Sequence, residues 1–218
     1  MSRNGTTTVV FDVGNVLIQW NPRHLYRKIF LDEAGKADLP RMERFLAEVC
    51  TQTWNERQDA GRSLAAGTAE LVARFPGQAA EIEAFYGRFQ EMMPGPVEGT
   101  VEILRALKDR GLRLYGLSNF TRETFPETRA RFGFLALLEG IVVSGEEGVI
   151  KPDRRIYERL LERYGLRAAD CFFIDDSLSN VTAARALGFT AHHFRGAAGL
   201  ADALRREGLL PDRGDGND

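Results

Sequence analysis

TVVFDVGN, residues 8–15, joins a short apolar run to an aspartate, with a glycine and an asparagine close behind it. β-Branched and aromatic residues in a run of this length are typical of a buried strand. Asp12 therefore stands at the carboxyl end of a predicted strand, ahead of a Gly14–Asn15 turn. Similar apolar runs predict four further strands, at residues 112–117, 140–144, 171–175 and 190–194.

The segments that separate the later strands are predicted to be helices. Each has apolar residues three or four positions apart and closes with a glycine, which is a common C-terminal cap. They cover residues 101–111, 122–133, 154–165 and 180–188. Pro126 must lie in the first turn of its helix or kink it, because proline has no amide hydrogen to donate. Strands alternating with helices predict a doubly wound α/β fold, with a parallel sheet covered on both faces.

Residues 20–94 break this alternation. They show several helical patterns and no convincing strand, and they are far too long for a simple connection. We therefore predict an inserted helical cap over 20–94, with residues 1–19 and 95–210 forming the α/β core. The polar segment 211–218 is expected to be a flexible tail.

Composition narrows the class of protein. The chain has 218 residues, 44% of them hydrophobic, which is enough for a core domain with a sizeable insertion. A net charge of −2 gives no general attraction to nucleic acid or to an anionic membrane, so any anionic ligand must be held by local charge. Neither a secretory signal nor a membrane span is recognisable. We expect a cytoplasmic protein without a nucleic-acid or membrane partner; the sequence is silent on oligomeric state.

Polar side chains stand where the predicted strands end. Ser118 and Asn119 follow the second strand, Lys151 comes after the third, and Asp175 and Asp176 close the fourth. Each has an ordinary explanation on its own, such as a turn, a helix cap or an exposed lysine before a proline. Ligands of open parallel sheets bind at the carboxyl ends of the strands, however, so the set together indicates a functional site.

VVFDVGNVL, LSN, KPDRRIY and FIDDSLSN resemble, in order, the four motifs of the haloacid dehalogenase superfamily. The resemblance covers nearly the whole chain and includes a helical cap after the first motif. It implies the strand order 3-2-1-4-5 and a hydrolase in which Asp12 attacks phosphorus to give an aspartyl-phosphate, with Mg²⁺ as cofactor. The resemblance assigns the metal to Asp12, the carbonyl of Gly14 and Asp176, with Asp175 holding a metal-bound water.

The same resemblance implies how a small phosphorylated metabolite is bound. Ser118 would donate its hydroxyl to a phosphate oxygen, Asn119 would add an amide or orienting contact, and Lys151 would neutralise negative charge. Two tryptophans are candidates for the pocket, and for the second of them, Trp54, burial in the cap is at least as good an explanation. A solvated helix face is the default for three polar cap residues that are possible specificity groups. The pocket candidates are Asn15, Trp20 and Trp54, and the possible specificity groups are Arg57, Asp59 and Arg62.

Gly14 departs from the pattern of most phosphatases of this superfamily, which carry a proton-transferring aspartate there. Such a group is worth on the order of 10²–10⁴ in rate. One hypothesis is that the substrate has a relatively acidic leaving group, such as the anomeric oxygen of a sugar 1-phosphate, which needs little help from a proton donor. Two alternatives remain: a metal-independent 2-haloacid dehalogenase and a non-catalytic relative. The adjacent Asp175 and Asp176 favour the metal-dependent phosphatase, because acids beside Asp12 would repel one another without a cation.

Overall fold

The computed structural model describes residues 6–212 and contains a five-stranded, wholly parallel sheet. Its strand order is β3-β2-β1-β4-β5, which confirms the predicted fold class and the predicted order. The first strand lies at the centre, so that the residue after it is flanked on both sides. The strands are β1 (Thr8–Phe11), β2 (Arg113–Ser118), β3 (Gly140–Val143), β4 (Cys171–Asp175) and β5 (Thr190–His193).

Both faces of the sheet are covered, as the near-continuous apolar strands require. Val9 and Phe11 point into one buried cluster, and Val10 points into a second cluster on the opposite face. The same alternation occurs in β4, where Phe172 and Phe173 belong to different clusters. Side chains of successive strand residues point to opposite faces, so a doubly wound sheet needs apolar residues at nearly every position.

Helices fill the segment that follows β1. Within residues 20–94 the structure has no strand, only one isolated bridge pair, Leu31 with Ala37. The helices are α1 (Arg23–Tyr26), α2 (Leu39–Glu48), α3 (Gln52–Asp59), α4 (Leu64–Arg74) and α5 (Ala79–Gly87), with 3₁₀ turns at Pro76–Gln78 and Phe89–Met92. Thr51 and Ser63 cap α3 and α4 by accepting hydrogen bonds from backbone amides.

The chain leaves and re-enters the α/β core along neighbouring paths. Ile18 bridges Pro96 in an antiparallel sense, and the amide of Gln19 donates to the carbonyl of Gly95 at 3.0 Å. The predicted domain boundaries, at 19/20 and 94/95, fall where these two chain segments lie side by side. The division itself stays a prediction, since cap residues such as Tyr26 share one buried cluster with core residues such as Phe11.

The remaining helices pack on the sheet. Pro126 lies in the first turn of its helix, one of the two places that the sequence allows it. Gly165 closes the helix Arg154–Tyr164 in a left-handed conformation (φ 60°), the C-terminal cap expected from the sequence. The helices are α6 (Glu98–Asp109), α7 (Phe125–Arg131), α8 (Ser144–Glu147), α9 (Arg154–Tyr164), α10 (Leu178–Ala186) and α11 (Ala197–Arg206), with 3₁₀ turns at Gly133–Leu137 and Ala168–Asp170.

Among the described residues, no helix combines the length and the hydropathy that a bilayer crossing needs. The cytoplasmic location stays a prediction. Of the predicted flexible tail, 211–218, only the first two residues are described, and 213–218 lie outside the described part of the chain.

Candidate active site

Strand register brings the polar strand ends together. Phe11 of β1 pairs with Gly116 of β2 and with Ile174 of β4, so the next residue, Asp12, lies level with the ends of both neighbours. The amide of Asp12 donates to the carbonyl of Ile174 at 2.8 Å, which extends the ladder by one residue. The carboxylates of Asp12, Asp175 and Asp176 consequently offer oxygens that all lie within 4.8 Å of one another.

Lys151 occupies the centre of this cluster, with only 2% of its surface exposed. Its Nζ lies 2.8 Å from Asp12 Oδ1 and 2.7 Å from Asp175 Oδ2, and it donates to the carbonyl of Leu117 at 2.7 Å. An ammonium has three hydrogens to donate, and these three acceptors use all of them. Burial alone would lower the pKa of Lys151, but Asp12 and Asp175 outweigh it and raise the pKa, so the lysine stays charged.

Asn119 fixes the position of Lys151 through the backbone. Its Nδ2 donates to the Lys151 carbonyl at 3.0 Å, and its Oδ1 accepts from the Lys151 amide at 2.8 Å. These two hydrogen bonds satisfy both backbone polar groups of the lysine and join the end of β2 to the loop before α9. The side chain therefore orients Lys151, one of the two contacts expected for Asn119.

Asp175 is fully buried and held by three donors. Its Oδ1 accepts from the amide of Ser177 and from Nδ2 of Asn180, both at 2.9 Å, while its Oδ2 accepts from Lys151. Such a carboxylate has little freedom to move. Its side chain aligns Lys151 with the nucleophile candidate, and it lies deeper than Asp176, which is the most exposed of the three acids.

Asp12 has one engaged and one open oxygen. Oδ1 accepts from the amide of Val13 at 2.7 Å and contacts Lys151, whereas no donor meets Oδ2 in the described part of the chain. Burial, together with Asp175 and Asp176, raises the pKa of Asp12 to about 8 against the opposing effect of Lys151. Burial and Asp175 likewise raise the pKa of Asp176, which Lys151 and Asn15 partly offset.

The cluster has more negative than positive charge, because three carboxylates share the single ammonium of Lys151. The pKa values of Asp12 and Asp176 are raised mainly by burial and further by the neighbouring carboxylates. A hard divalent cation fits this donor set, since carboxylate and carbonyl oxygens are the ligands such ions prefer. A cation among them would keep Asp12 ionised near neutral pH.

A cavity of about 260 Å³ opens above these residues, between the strand ends and the inserted helices. Asn15 and Trp20 line it as expected, together with Asp12, Asn119 and Lys151. Further lining residues that the sequence did not single out are Gln52, Asn55, Glu56, Phe89 and Phe120, and Asp59, considered only as a possible specificity group, joins them. Both core and cap thus contribute to the cavity.

Three expected site residues do not line this cavity: Asp175, which lies behind Lys151, Trp54 and Ser118. Trp54 is 4% exposed and packs among the cap helices, where its indole Nε1 donates to the carbonyl of Gly67 at 3.0 Å and its ring contacts Phe85 at 5.0 Å. The structure thus favours the alternative explanation for Trp54, burial in the cap. Ser118 is buried at the end of β2, and its hydroxyl finds no hydrogen-bond partner within residues 6–212. A buried hydroxyl without a partner is rare, so Ser118 has a hydrogen bond still to make.

A doubly wound parallel sheet with a carboxylate–lysine–carboxylate cluster at its strand ends defines the class of protein, a hydrolase of the haloacid dehalogenase type. Residues 6–188 match the haloacid dehalogenase-like hydrolases, and the chain belongs to that family.

Similar proteins differ in their reactions. The chain is 27% identical over 197 residues to the sesquiterpene phosphatase astK of Aspergillus oryzae, covering 90% of this chain and 94% of that protein. It is 30% identical over 94 residues to an (S)-2-haloacid dehalogenase of Pseudomonas sp. (strain YL), covering 43% of this chain and 40% of the dehalogenase. A haloacid dehalogenase (HAD) family enzyme of Bacteroides thetaiotaomicron, solved with magnesium and inorganic phosphate, has the same fold. The two structures have a TM-score of 0.63 and 21% sequence identity, and the match covers 88% of this chain and 96% of that one.

Proposed function

We propose that the protein is a Mg²⁺-dependent phosphatase that cleaves a small phosphate monoester through an aspartyl-phosphate on Asp12. The observation that carries this proposal is the buried acidic cluster, in which Asp12 keeps one oxygen open while Lys151 and Asp175 fix the other groups around it. The phosphatase from Aspergillus oryzae, similar over most of the chain, supports the reaction class. The magnesium and phosphate bound by the Bacteroides enzyme support the cofactor.

Asp12, the carbonyl of Gly14 and Asp176 are the groups that would hold Mg²⁺, with Asp175 behind them as the contact for a bound water. When bound, the ion supplies positive charge that lets a carboxylate approach a phosphate dianion. A Cβ at Gly14 would meet no atom within 4 Å, so there is open space beside this residue.

Each of the site residues has a separate role in the proposed reaction. Asp12 attacks phosphorus through Oδ2, and the bond from phosphorus to the leaving oxygen breaks. Lys151 stays positively charged throughout and compensates the charge that gathers on the transferring group. Ser118 offers its unpartnered hydroxyl to a phosphate oxygen, and Asn119 keeps Lys151 in place. Water then attacks the aspartyl-phosphate, which releases inorganic phosphate and restores Asp12.

The cavity limits the substrate. A volume of about 260 Å³ admits a phosphate group and a small organic group, and Trp20, Phe89 and Phe120 give its wall apolar surface. A sugar phosphate follows from the hypothesis of an acidic leaving group, whereas the Aspergillus relative, a sesquiterpene phosphatase, points to an isoprenoid phosphate. Both are small phosphorylated metabolites, and substrate assays decide between them.

Dehalogenation of 2-haloacids is the second candidate, favoured by the similarity to the Pseudomonas dehalogenase. In that reaction the aspartate attacks carbon, and no metal takes part. Asp175 and Asp176 oppose it here, because an anionic haloacid would enter a site that already has an excess of negative charge. The acidic cluster therefore favours the metal-dependent reaction.

A substrate panel tests the proposal. Sugar phosphates, isoprenoid monophosphates, nucleotides and 2-haloacids are incubated with the purified protein, with Mg²⁺ or with EDTA, and released phosphate and halide are measured. We expect phosphate release that needs Mg²⁺ and is lost in Asp12→Asn. Halide release that persists in EDTA would establish the dehalogenase instead, and turnover by Asp12→Asn at the wild-type rate would refute the nucleophile.

A further inference from the structure

Apart from Asp12 and Asp176, which would hold the metal ion in the proposed function, the strand-end residues offer no free acid that can protonate the leaving oxygen. Gly14 has no side chain. Lys151 donates all three ammonium hydrogens, to Asp12, Asp175 and the Leu117 carbonyl. Asp175 is occupied by three donors. An alkyl phosphate nevertheless needs a proton on its leaving oxygen, and the aspartyl-phosphate needs a base to activate water. The proton carrier must come from elsewhere in the cavity wall.

Asp59 meets this requirement from the cap side. It is the last residue of α3, it is only 8% exposed, and it lines the same cavity as Asp12. Its Oδ2 accepts from Nδ2 of Asn55 at 2.8 Å, and the Oδ1 of Asn55 in turn accepts from the hydroxyl of Tyr86 at 3.0 Å. The other oxygen of Asp59, Oδ1, has no hydrogen-bond partner in the described part of the chain, so it remains available to a ligand.

The backbone of Asp59 is tied to the α/β core. The hydroxyl of Ser144, at the start of α8, donates to the Asp59 carbonyl at 2.6 Å and accepts from the amide of Phe120 at 2.9 Å. Two residues beyond Asp59, a Cβ at Gly61 would approach the Gly145 carbonyl to 3.2 Å. The end of α3 thus lies against the segments that follow β2 and β3, which sets the height of the Asp59 carboxyl above the strand ends.

The environment suits a group that gives up and regains a proton near neutral pH. Burial, with a smaller contribution from the neighbouring Glu56, raises the pKa of Asp59 from 3.8 to about 7. A carboxylate at the C-terminal end of a helix is also disfavoured by the helix dipole. A general acid and base works best when its pKa lies near the working pH.

We infer that Asp59 is the proton carrier of the reaction, in place of the acid that is missing at Gly14. The inference rests on the proposed phosphatase function. As Asp12 attacks phosphorus and the bond to the leaving oxygen breaks, Asp59 gives its proton to that oxygen, so the alcohol departs neutral. Asp59, now a carboxylate, takes a proton from the water that attacks the aspartyl-phosphate. Inorganic phosphate leaves, and both aspartates return to their starting states.

The test compares two esters of similar shape in wild type and Asp59→Asn, with Mg²⁺ present. Benzyl phosphate has an alkoxide leaving group that needs a proton, whereas p-nitrophenyl phosphate has a leaving group stable as an anion. We expect kcat/KM to fall about 10²-fold or more for benzyl phosphate and far less for p-nitrophenyl phosphate. The variant should also release a burst of about one p-nitrophenol per enzyme before slow turnover, because the aspartyl-phosphate waits for an activated water.

Glu56→Gln is the matched control, since Glu56 is an acid on the same helix that lines the same cavity. Glu56 is only the smaller cause of the raised pKa of Asp59, so this variant should keep the ratio of kcat/KM on the two esters close to that of wild type and give no burst. Equal losses on the two esters in Asp59→Asn, or no loss at all, would overturn the inference. These outcomes are distinct from failure of the proposed function, in which wild type releases no phosphate or Asp12→Asn keeps its activity.

A second variant keeps the test independent of general damage to the cap. Gly14 has room for a side chain, as a Cβ there meets nothing within 4 Å. The double variant Asp59→Asn, Gly14→Asp has a carboxyl at the strand-end position again. Its kcat/KM for benzyl phosphate should be at least tenfold higher than that of Asp59→Asn alone. A double variant as slow as the single one on this ester contradicts the assignment.

Discussion

Lys151 differs sharply from an ordinary surface lysine, because its whole ammonium is buried against two carboxylates and a carbonyl. Lys151→Met should lower the free energy of unfolding by about 3–5 kcal/mol, since removing one partner leaves buried charges uncompensated. Urea unfolding of the metal-free protein measures this loss. Lys108→Met is the control: Lys108 pairs with Glu139 at 3.3 Å on the surface, and such pairs are worth about 0–1 kcal/mol. Equal losses in the two variants would contradict the buried ion pair.

Asp59 gives a prediction of the opposite sign. Its pKa is raised to about 7 by burial, so between roughly pH 4 and 7 the folded chain binds a proton that the unfolded chain has released. Stability therefore falls as pH rises through this window. Asp59→Asn removes the penalty and keeps an oxygen for Asn55, so it should stabilise the protein at pH 8 by up to about 4 kcal/mol, at ~1.4 kcal/mol per unit.

Urea unfolding at pH 4.5 and pH 8 measures the effect of Asp59→Asn. The two proteins should have nearly equal stability at the acidic pH and diverge at the alkaline one. A gain of the same size at both pH values would mean that the change acts through packing and not through ionisation.

At the scale of single residues, the sequence identified the strand-end groups but gave Asp59 no special weight. Asp12, Lys151 and Asp175 follow apolar runs whose pairing in a parallel sheet is predictable, so their meeting could be foreseen. Asp59 sits among polar neighbours on a helix with weak amphipathicity. Its burial depends on contacts such as the hydrogen bond from Ser144, 85 positions along the chain, which no local pattern contains.

Among the elements, α3 depends on its attachment to α8. Ser144→Ala removes the hydroxyl that joins the Asp59 carbonyl to the Phe120 amide, leaving two buried backbone groups without a partner. We expect a loss of about 1–3 kcal/mol in the free energy of unfolding. We also expect a fall in kcat/KM, because the end of α3 loses its fixed position above the strand ends.

Ser63→Ala separates these two effects. Ser63 is the N-cap residue of α4, another helix of the inserted segment, and its Oγ accepts a hydrogen bond from the Ala66 amide at 3.3 Å. Loss of such an N-cap hydrogen bond typically costs ~1 kcal/mol. Its stability should fall while kcat/KM stays at the wild-type value. If both variants left kcat/KM unchanged, the position of α3 would not matter for the reaction.

The regular elements also show where sequence patterns suffice. Glycine at the end of a periodic segment correctly predicted the cap of α9 at Gly165. Helix α11 was not predicted, although Leu200, Ala203 and Leu204 lie at helical spacing and are buried. The alternation of strands and helices ends at β5, so nothing in the fold argument required a helix after it.

At the scale of the whole molecule, cap and core share their interior. One buried cluster runs from Phe11 and Leu104 in the core to Tyr26 and Phe85 in the cap. The sequence showed two regions with different periodicity, but it could not show that their apolar faces meet, since this depends on how the helices dock. Because they share this cluster, cap and core are expected to unfold together.

Binding of Mg²⁺ should therefore stabilise the whole chain. An ion that binds only the folded state adds about 2.7 kcal/mol when its concentration is a hundred times its Kd. We expect Mg²⁺ to raise Tm in wild type and in Asp109→Asn, which alters an exposed acid on α6. Asp176→Asn should abolish most of the shift, because Asp176 is the most exposed acid of the cluster and a direct ligand in the proposal. A Tm shift of equal size in all three proteins would place the ion elsewhere and remove the metal from the proposed site.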